Sequence, residues 1–505
     1  MRRFTKTLFT FSVMLISVFL MGNVSSAKVI EVNSTTFPDK CVREVLKDYA
    51  ANRDDLYSDD SDTAFEINTD DVTKLQLYAR NSDDSIGNLK GIELLSSLSE
   101  IQISEFKGNK ISLSNSQLKS VSVYNPDCTK LQIDIPAMEN LVIFAISSNM
   151  TTIDTSANTN LKDFFLQGDK VNSIDVSKNT KLTRLRLICN NITSVNVNKN
   201  TNLSTLSILS KKLKSVDVSK NKNLQELSVD SSNNIQSMNI KNNTKLTALS
   251  LTNMSLKKID ISKHKKLTAF ACYGSKITSL NLSKNSNLTS LNVSNTGLKT
   301  LDLTKNSKLS SLNVSDTKLK SLNLTKNNKL TSFNMSNTSF KLPDLSKKTN
   351  LASLYLSKTK ITSLNLTKYT KLTSLNVSDT ELKTLNLTKN TKLISLDVSN
   401  TKLTSLDLKN NKNLNNISFY GSKIQKLDLS GYEDLRITFN VKDGSKIDLK
   451  PYLGTGYTYN MSYNRDCFNY NDTDNSIEVN GKSGQWCGLT LEKGTKQYTI
   501  SIEIV

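Results

Sequence analysis

From Leu161 onward, one position of this chain is leucine once in every 21 residues. Leu161, Leu182, Leu203 and Leu224 open the series, Leu246 follows after one extra residue, and the register then holds through Leu267 to Leu435. A period this short and this strict specifies a solenoid, in which each turn buries its apolar side chains against the turns above and below. A chain of 505 residues therefore needs no single central core. Glycine (16) and proline (5) are too scarce for a collagen-like chain or a flexible linker.

The segment Leu288–Lys308 shows how one repeat is built. It holds two L-x-x-L-x-L/V patterns, the first with Leu288, Leu291 and Val293, the second with Leu298, Leu301 and Leu303. The last two apolar residues of each pattern are spaced by two, which is strand alternation, with Asn292 and Asp302 facing outward. Helical spacing fails because polar residues would fall on the buried face. The expected fold class is a solenoid of mainly parallel β-structure with two short strands per turn. Parallel strands stack about 4.8 Å apart, so thirteen turns make a rod roughly 60 Å long.

The turns repeat as well. The ninth position of the second half-repeat is asparagine in most turns (Asn179, Asn200, Asn221, Asn243, Asn285, Asn306 and others), with His264, Lys348, Tyr369 and Tyr432 as exceptions. An asparagine amide can bond turn groups that no strand satisfies. The matching place in the first half is Thr296, Thr317, Thr338, Thr359, Thr380, Thr401 and Ser422 in the later turns. The pattern L-x-x-L-x-L-x-x-N over roughly residues 95–440 resembles the leucine-rich repeat. With its flanking segments the chain is similar to secreted or surface leucine-rich-repeat proteins of bacteria, internalin-like in the broad sense. That resemblance implies a binding or adhesion role. Internalin-type repeats usually have 22 residues, one strand and a helical or irregular return, so a second strand here implies a straighter rod.

The ends read differently from the middle. Arg2, Arg3 and Lys6, the apolar run Leu8–Met21 and the small residues Ser25, Ser26 and Ala27 have the order of a secretory signal cleaved after Ala27. Its loss lowers the formal charge from +20 to about +17. No second apolar stretch of membrane length follows, so the expected mature chain is exported or loosely surface-associated, without a transmembrane segment. Residues 28–94 form the expected N-terminal cap, with Thr36 as helix cap, Pro38 in the first turn and Val42, Val45, Leu46 and Tyr49 as its apolar stripe. The solenoid is placed at 95–439. Residues 440–505 read as a small β domain compatible with an immunoglobulin-like arrangement, where Cys467 and Cys487 can pair. The acidic stretch Asp54–Asp62 lacks the glycine and terminal glutamate of a calcium loop.

Little in the sequence suggests catalysis. His264 is the single histidine, and Cys272 nearby falls on an inward position, so neither a Cys-His pair nor a histidine-rich metal site is expected. No catalytic residue, metal or cofactor is assigned. The outward residue of the second half alternates without exception over ten turns, from Asp175, Asn196, Asp217 and Asn239 to Asp344 and Asn365. Carboxylates 4.8 Å apart repel by roughly 0.9 kcal/mol even in water, and alternation halves that; amide-to-carboxylate bonds between turns are expected.

The face of the first strand is uneven. Later turns present Asn292/Ser294, Asn313/Ser315 and Asn334/Ser336, whereas earlier ones carry Phe165, Arg184, Arg186, Ile188 and Leu209. Tyr273, Tyr355 and Tyr420 are expected on the same face. Exposed apolar and aromatic groups beside arginine are what interface centres favour. These eight residues are the candidate contact set for a protein or glycan ligand. Turn lysines add weak attraction to anionic cell-surface polymers, and export makes nucleic acid a poor partner. The regular Ser/Asn face raises the alternative of a structural or ice- or polysaccharide-surface-binding protein, although a Thr-x-Thr array is missing.

Overall fold

The computed structural model describes residues 29–50, 64–78, 86–125, 131–424 except 233, and most of 427–504. The signal-like segment, the acidic stretch and Cys128 lie outside the described residues. Strand Val29–Val32 pairs antiparallel with Phe65–Asn68, and between them helix α1 runs Lys40–Ala50. Its capping residue is Asp39, whose Oδ1 accepts the Val42 N–H at 3.3 Å. The expected cap, Thr36, instead donates to the Glu31 carbonyl at 2.8 Å, because the chain turns once more before the helix begins. Val42, Val45 and Leu46 are buried as expected, and the Tyr49 hydroxyl donates to the Lys74 carbonyl. Gly91 opens the turn that follows at φ 97°, where a Cβ would lie 2.3 Å from the Thr36 carbonyl oxygen, so only glycine fits.

One parallel sheet then runs the length of the solenoid. It begins with Lys74–Leu77 and Glu100–Ser104, passes in register through each repeat, and reaches Asn416–Ser418 and Asp434–Val441. The inward residues, such as Leu291 and Val293, are buried against those of adjacent turns. The solenoid of mainly parallel β-structure, the N-terminal helix and the β-rich C-terminal end stand as expected.

The second strand of each turn needs correction. Among the described residues the return side forms ladders at only two places, Lys110–Ser112 with Gln132–Asp134 and Ser194–Asn196 with Ser215–Asp217. The alternating Asp/Asn column bonds within its own turn. Each side-chain oxygen accepts the backbone N–H two residues on, as Asp175 does from Ser177 at 2.8 Å, Asn281 from Ser283 at 3.0 Å and Asp302 from Thr304 at 2.9 Å. Asn196 and Asp217 make the same bond, at 3.1 and 2.9 Å, inside one of the two ladders, so the Asx turn does not decide which return segments pair. The expected amide-to-carboxylate bonds between turns are replaced by these bonds within a turn.

On the side away from the sheet, the asparagine column joins the turns. Asn179, Asn200, Asn221, Asn243, Asn285, Asn306, Asn327, Asn390 and Asn411 are fully buried. Asn306 Nδ2 donates to the Asn285 carbonyl at 2.9 Å and the Leu282 carbonyl at 3.2 Å, both in the preceding turn. His264 imitates this with Nε2 on the Ile240 carbonyl at 3.1 Å. At the C-terminal end tyrosines take over: Tyr432 donates to the Leu408 carbonyl at 3.2 Å, and Tyr498 to the Tyr432 carbonyl at 2.9 Å. Burial pushes the Tyr432 hydroxyl up to about 12.

The last strands continue the same sheet. Asp434–Val441 pairs parallel with Lys496–Ile504, which pairs antiparallel with Trp486–Lys493, and that strand in turn with Thr458–Tyr463. A separate three-stranded sheet joins Lys446–Asp448, Ser476–Val479 and Phe468–Asn471. Cys467 and Cys487 are joined as a disulfide, with Cα atoms 6.6 Å apart. Covering the apolar end of the stack in this way leaves no open cross-section there.

Candidate functional site

Three adjacent strands carry the candidate patch: Asp163–Gln167, Arg184–Ile188 and Thr205–Leu209. Their parallel register sets Phe165, Arg186 and Ser207 in one row and Gln167, Ile188 and Leu209 in the next. Inward Phe164, Leu185 and Leu206 are buried, so alternation places the named side chains outward. The Arg186 guanidinium lies 5.6 Å from the centre of the Phe165 ring, a cation–π contact.

The residue that organises the patch is one the sequence reading passed over. Asp163, with its side chain only 9% exposed, lies beside Arg184 in register, and Arg184 Nη2 reaches Asp163 Oδ2 at 2.5 Å. Arg186 Nη2 lies 3.6 Å from Oδ1 of the same carboxylate. One nearly buried carboxylate therefore ion-pairs with two arginines and restrains them before any ligand arrives. The signal was available, since Asp163 and Arg184 are one 21-residue step apart.

Apolar exposure gathers here too. Ile143 is 37% and Leu209 40% exposed, on the strands flanking the Arg/Phe cluster. The structure does not bring the three tyrosines into this patch. Tyr273 is 37% exposed but sits in the turn after strand Ala269–Ala271, beside Gly274 at φ 68°. Tyr355 lies in strand Ser353–Tyr355, its hydroxyl accepting from Ser374 at 3.2 Å. Tyr420 packs edge-on against Phe439 at 6.2 Å and leans on the core. Each turn adds about 4.8 Å, so Tyr355 stands tens of ångströms from Leu209.

The groups that could have carried chemistry are spent on structure. His264 is fully buried, and burial pulls its pKa down. Cys189 and Cys272 are buried thiols, pushed up to about 12 by desolvation. No group of three or more His, Cys, Asp or Glu side chains gathers among the described residues. No helix among them is long and apolar enough to cross a membrane. The described residues form a repeat scaffold.

Comparison with known proteins shows the fold. No family model and no curated protein matches the chain. Among solved structures, the functional domain of InlJ from Listeria monocytogenes is similar at 23% identity and a TM-score of 0.52, covering 96% of this chain and 100% of that one. A leucine-rich-repeat protein of Leptospira interrogans is similar at 19% identity and a TM-score of 0.51, covering 68% and 91%. The InlJ domain includes a cysteine ladder. Here the buried polar column is asparagine, and the free cysteines among the described residues are Cys41, Cys189 and Cys272.

Proposed function

We propose that this chain is an exported, non-catalytic binding protein that recognises a protein or glycan through the outer face of its long sheet. Its contact centre is Phe165, Arg184, Arg186, Ile188 and Leu209, and Tyr273 is an outlying contact. The observation that carries this reading is the Asp163 clamp. An exposed apolar cluster around two arginines held by one carboxylate has the make-up of an interface centre and serves no evident need of the core. Similarity to internalin-type and other bacterial leucine-rich-repeat structures supports a surface-associated recognition role, and the signal-like N-terminus supports export. Tyr355 and Tyr420 contribute through packing more than through contact.

The test is retention of the mature chain on cells or matrix carrying its target, at low and high salt. An Arg186→Ser/Ile188→Ser variant is expected to lose retention at both salt concentrations, because shape-driven contact persists where charge-driven sticking fades. Retention unchanged in that variant removes the patch from consideration.

A further inference from the structure

A second surface lies on the turn that follows the return segment, away from the sheet face. The residue just before the asparagine column is lysine in ten of eleven successive turns, from Lys178 through Lys263, Lys284, Lys305 and Lys326 to Lys389, with Asn242 the exception. Every one of these lysines is exposed. Each precedes a column position that is itself buried, and where that residue is asparagine its Nδ2 ties the turn to the one before. Asn285, Asn306 and Asn327 each bond the carbonyl of the column residue 21 positions back at 2.9 Å. The column that locks the stack therefore also holds the lysines in line, about 4.8 Å apart over roughly 50 Å.

The charge on this edge is lopsided. The seven-residue windows from 175–181 to 386–392 contain twenty exposed lysines and five aspartates. Those aspartates are turned back onto their own backbone by Asx bonds, as Asp260 is to Ser262 at 2.9 Å and Asp344 to Ser346 at 2.8 Å. Among the described residues, none of the twenty lysines has a carboxylate within ion-pair distance. The contrast with the aspartates is informative. At the same spacing, carboxylates occur in alternate turns while lysines stack in consecutive ones. Stacked like charges repel, and a bound chain of opposite charge relieves that repulsion.

We infer that this ridge is a binding site for a linear, non-aromatic polyanion of the phosphate type, lying parallel to the solenoid axis. Ammonium groups act as point charges suited to phosphate. The ridge exposes no aromatic side chain, so it lacks the stacking platform that single-stranded nucleic acid and sugars use. The site is distinct from the sheet patch and does not depend on it.

Inorganic polyphosphate of graded chain length is the probe, with full-length mature protein and salt titration. Affinity is expected to rise with polymer length until the chain spans the ridge, then level off. Lys263→Gln/Lys284→Gln/Lys305→Gln/Lys326→Gln should lower the slope of log K against log salt by about 3, close to 0.7–0.9 for each lysine removed. Lys299→Gln/Lys318→Gln/Lys320→Gln/Lys341→Gln removes equal charge from the opposite turn and should leave most of the slope. Equal losses in the two variants would reduce the effect to net charge and overturn the site, as would no loss in either. Tighter binding of single-stranded DNA or heparin than of polyphosphate at matched charge would overturn the ligand class. Unchanged melting temperatures confirm that both variants are folded.

Discussion

The two halves of the solenoid use the same sheet differently. From Glu100–Ser104 to Ala248–Thr252 its strands are five or six residues long; from Ala269–Ala271 to Asn416–Ser418 they are three. In the later half the third strand residue is most often Asn or Asp, and its side chain captures the N–H two residues on. Asn313 does so from Ser315 at 3.0 Å, Asn334 from Ser336 at 2.9 Å and Asp397 from Ser399 at 3.0 Å. The residue directly after that N–H donor lies in the left-handed region, at Asn295, Asp316, Asn337, Asp379 and Asn400. Asn and Asp tolerate that conformation best after glycine. In the earlier half Phe165 and Arg186 stand at the clasp position and cannot make it, so the strand runs on and its outer row can vary. Ala271, Tyr355 and Ser418 end short strands without a clasp, each having at least one clasped neighbour in the sheet. The difference teaches that a clasped, uniform strand end and a varied outer row compete for the same outward position.

The largest expected effect lies in the column shared by both halves. Asn306→Leu removes two buried hydrogen bonds, at about 1 kcal/mol each, to carbonyls that keep the Leu288 and Asn285 backbone N–H donors. The larger side chain overpacks the column at about 1–3 kcal/mol more, and the urea midpoint should fall accordingly. A stable variant would mean that these bonds do not hold the turns together. Next comes the end of the stack. Cys467→Ala/Cys487→Ala opens a cross-link between residues 20 apart, a loss of about 3 kcal/mol on the chain-entropy account. Hydrogen exchange should rise in the C-terminal strands and stay unchanged in the earlier half.

A conversion sharpens the comparison itself. Arg186→Asn/Ile188→Ser gives an early turn the outward residues of a later one. We expect a stability change within about 1 kcal/mol, as for surface substitutions, together with earlier exchange of the amides at 187 and 188. A strand of unchanged length would break the link between clasp and strand end.

The smallest effect is tied to pH. His264 is neutral and buried in the fold, with its pKa lowered by desolvation. The unfolded chain therefore binds the extra proton first as pH falls below the ordinary histidine value. Its contribution to stability is complete above that value and is lost between it and the lower folded pKa. His264→Asn restores the amide and should remove this acid sensitivity. The exposed aspartates of the Asx turns, lowered by their backbone bonds, lose their share only at more acidic pH.

Much of this was legible in the sequence. The 21-residue step placed the sheet, the buried column and the outward rows, because in a solenoid sequence phase is spatial phase. The return strand was misjudged because alternation of Leu301 and Leu303 reports burial and not backbone pairing. The left-handed column could have been seen in Asn295, Asp316 and Asn337, one residue before the threonines already singled out. Asp163 was missed because a patch sought among exposed residues overlooks the buried charge beneath it. Tyr498 could not be found by phase at all, since it reaches the Leu429 carbonyl from 69 residues away.

Hydrogen exchange in Asn306→Leu, resolved turn by turn, tests the account most directly. The prediction is a loss of protection centred on residues 282–327, fading over neighbouring turns and leaving 163–209 as slow as in the parent chain. Exchange unchanged around residue 306, or raised evenly from one end of the molecule to the other, would contradict it.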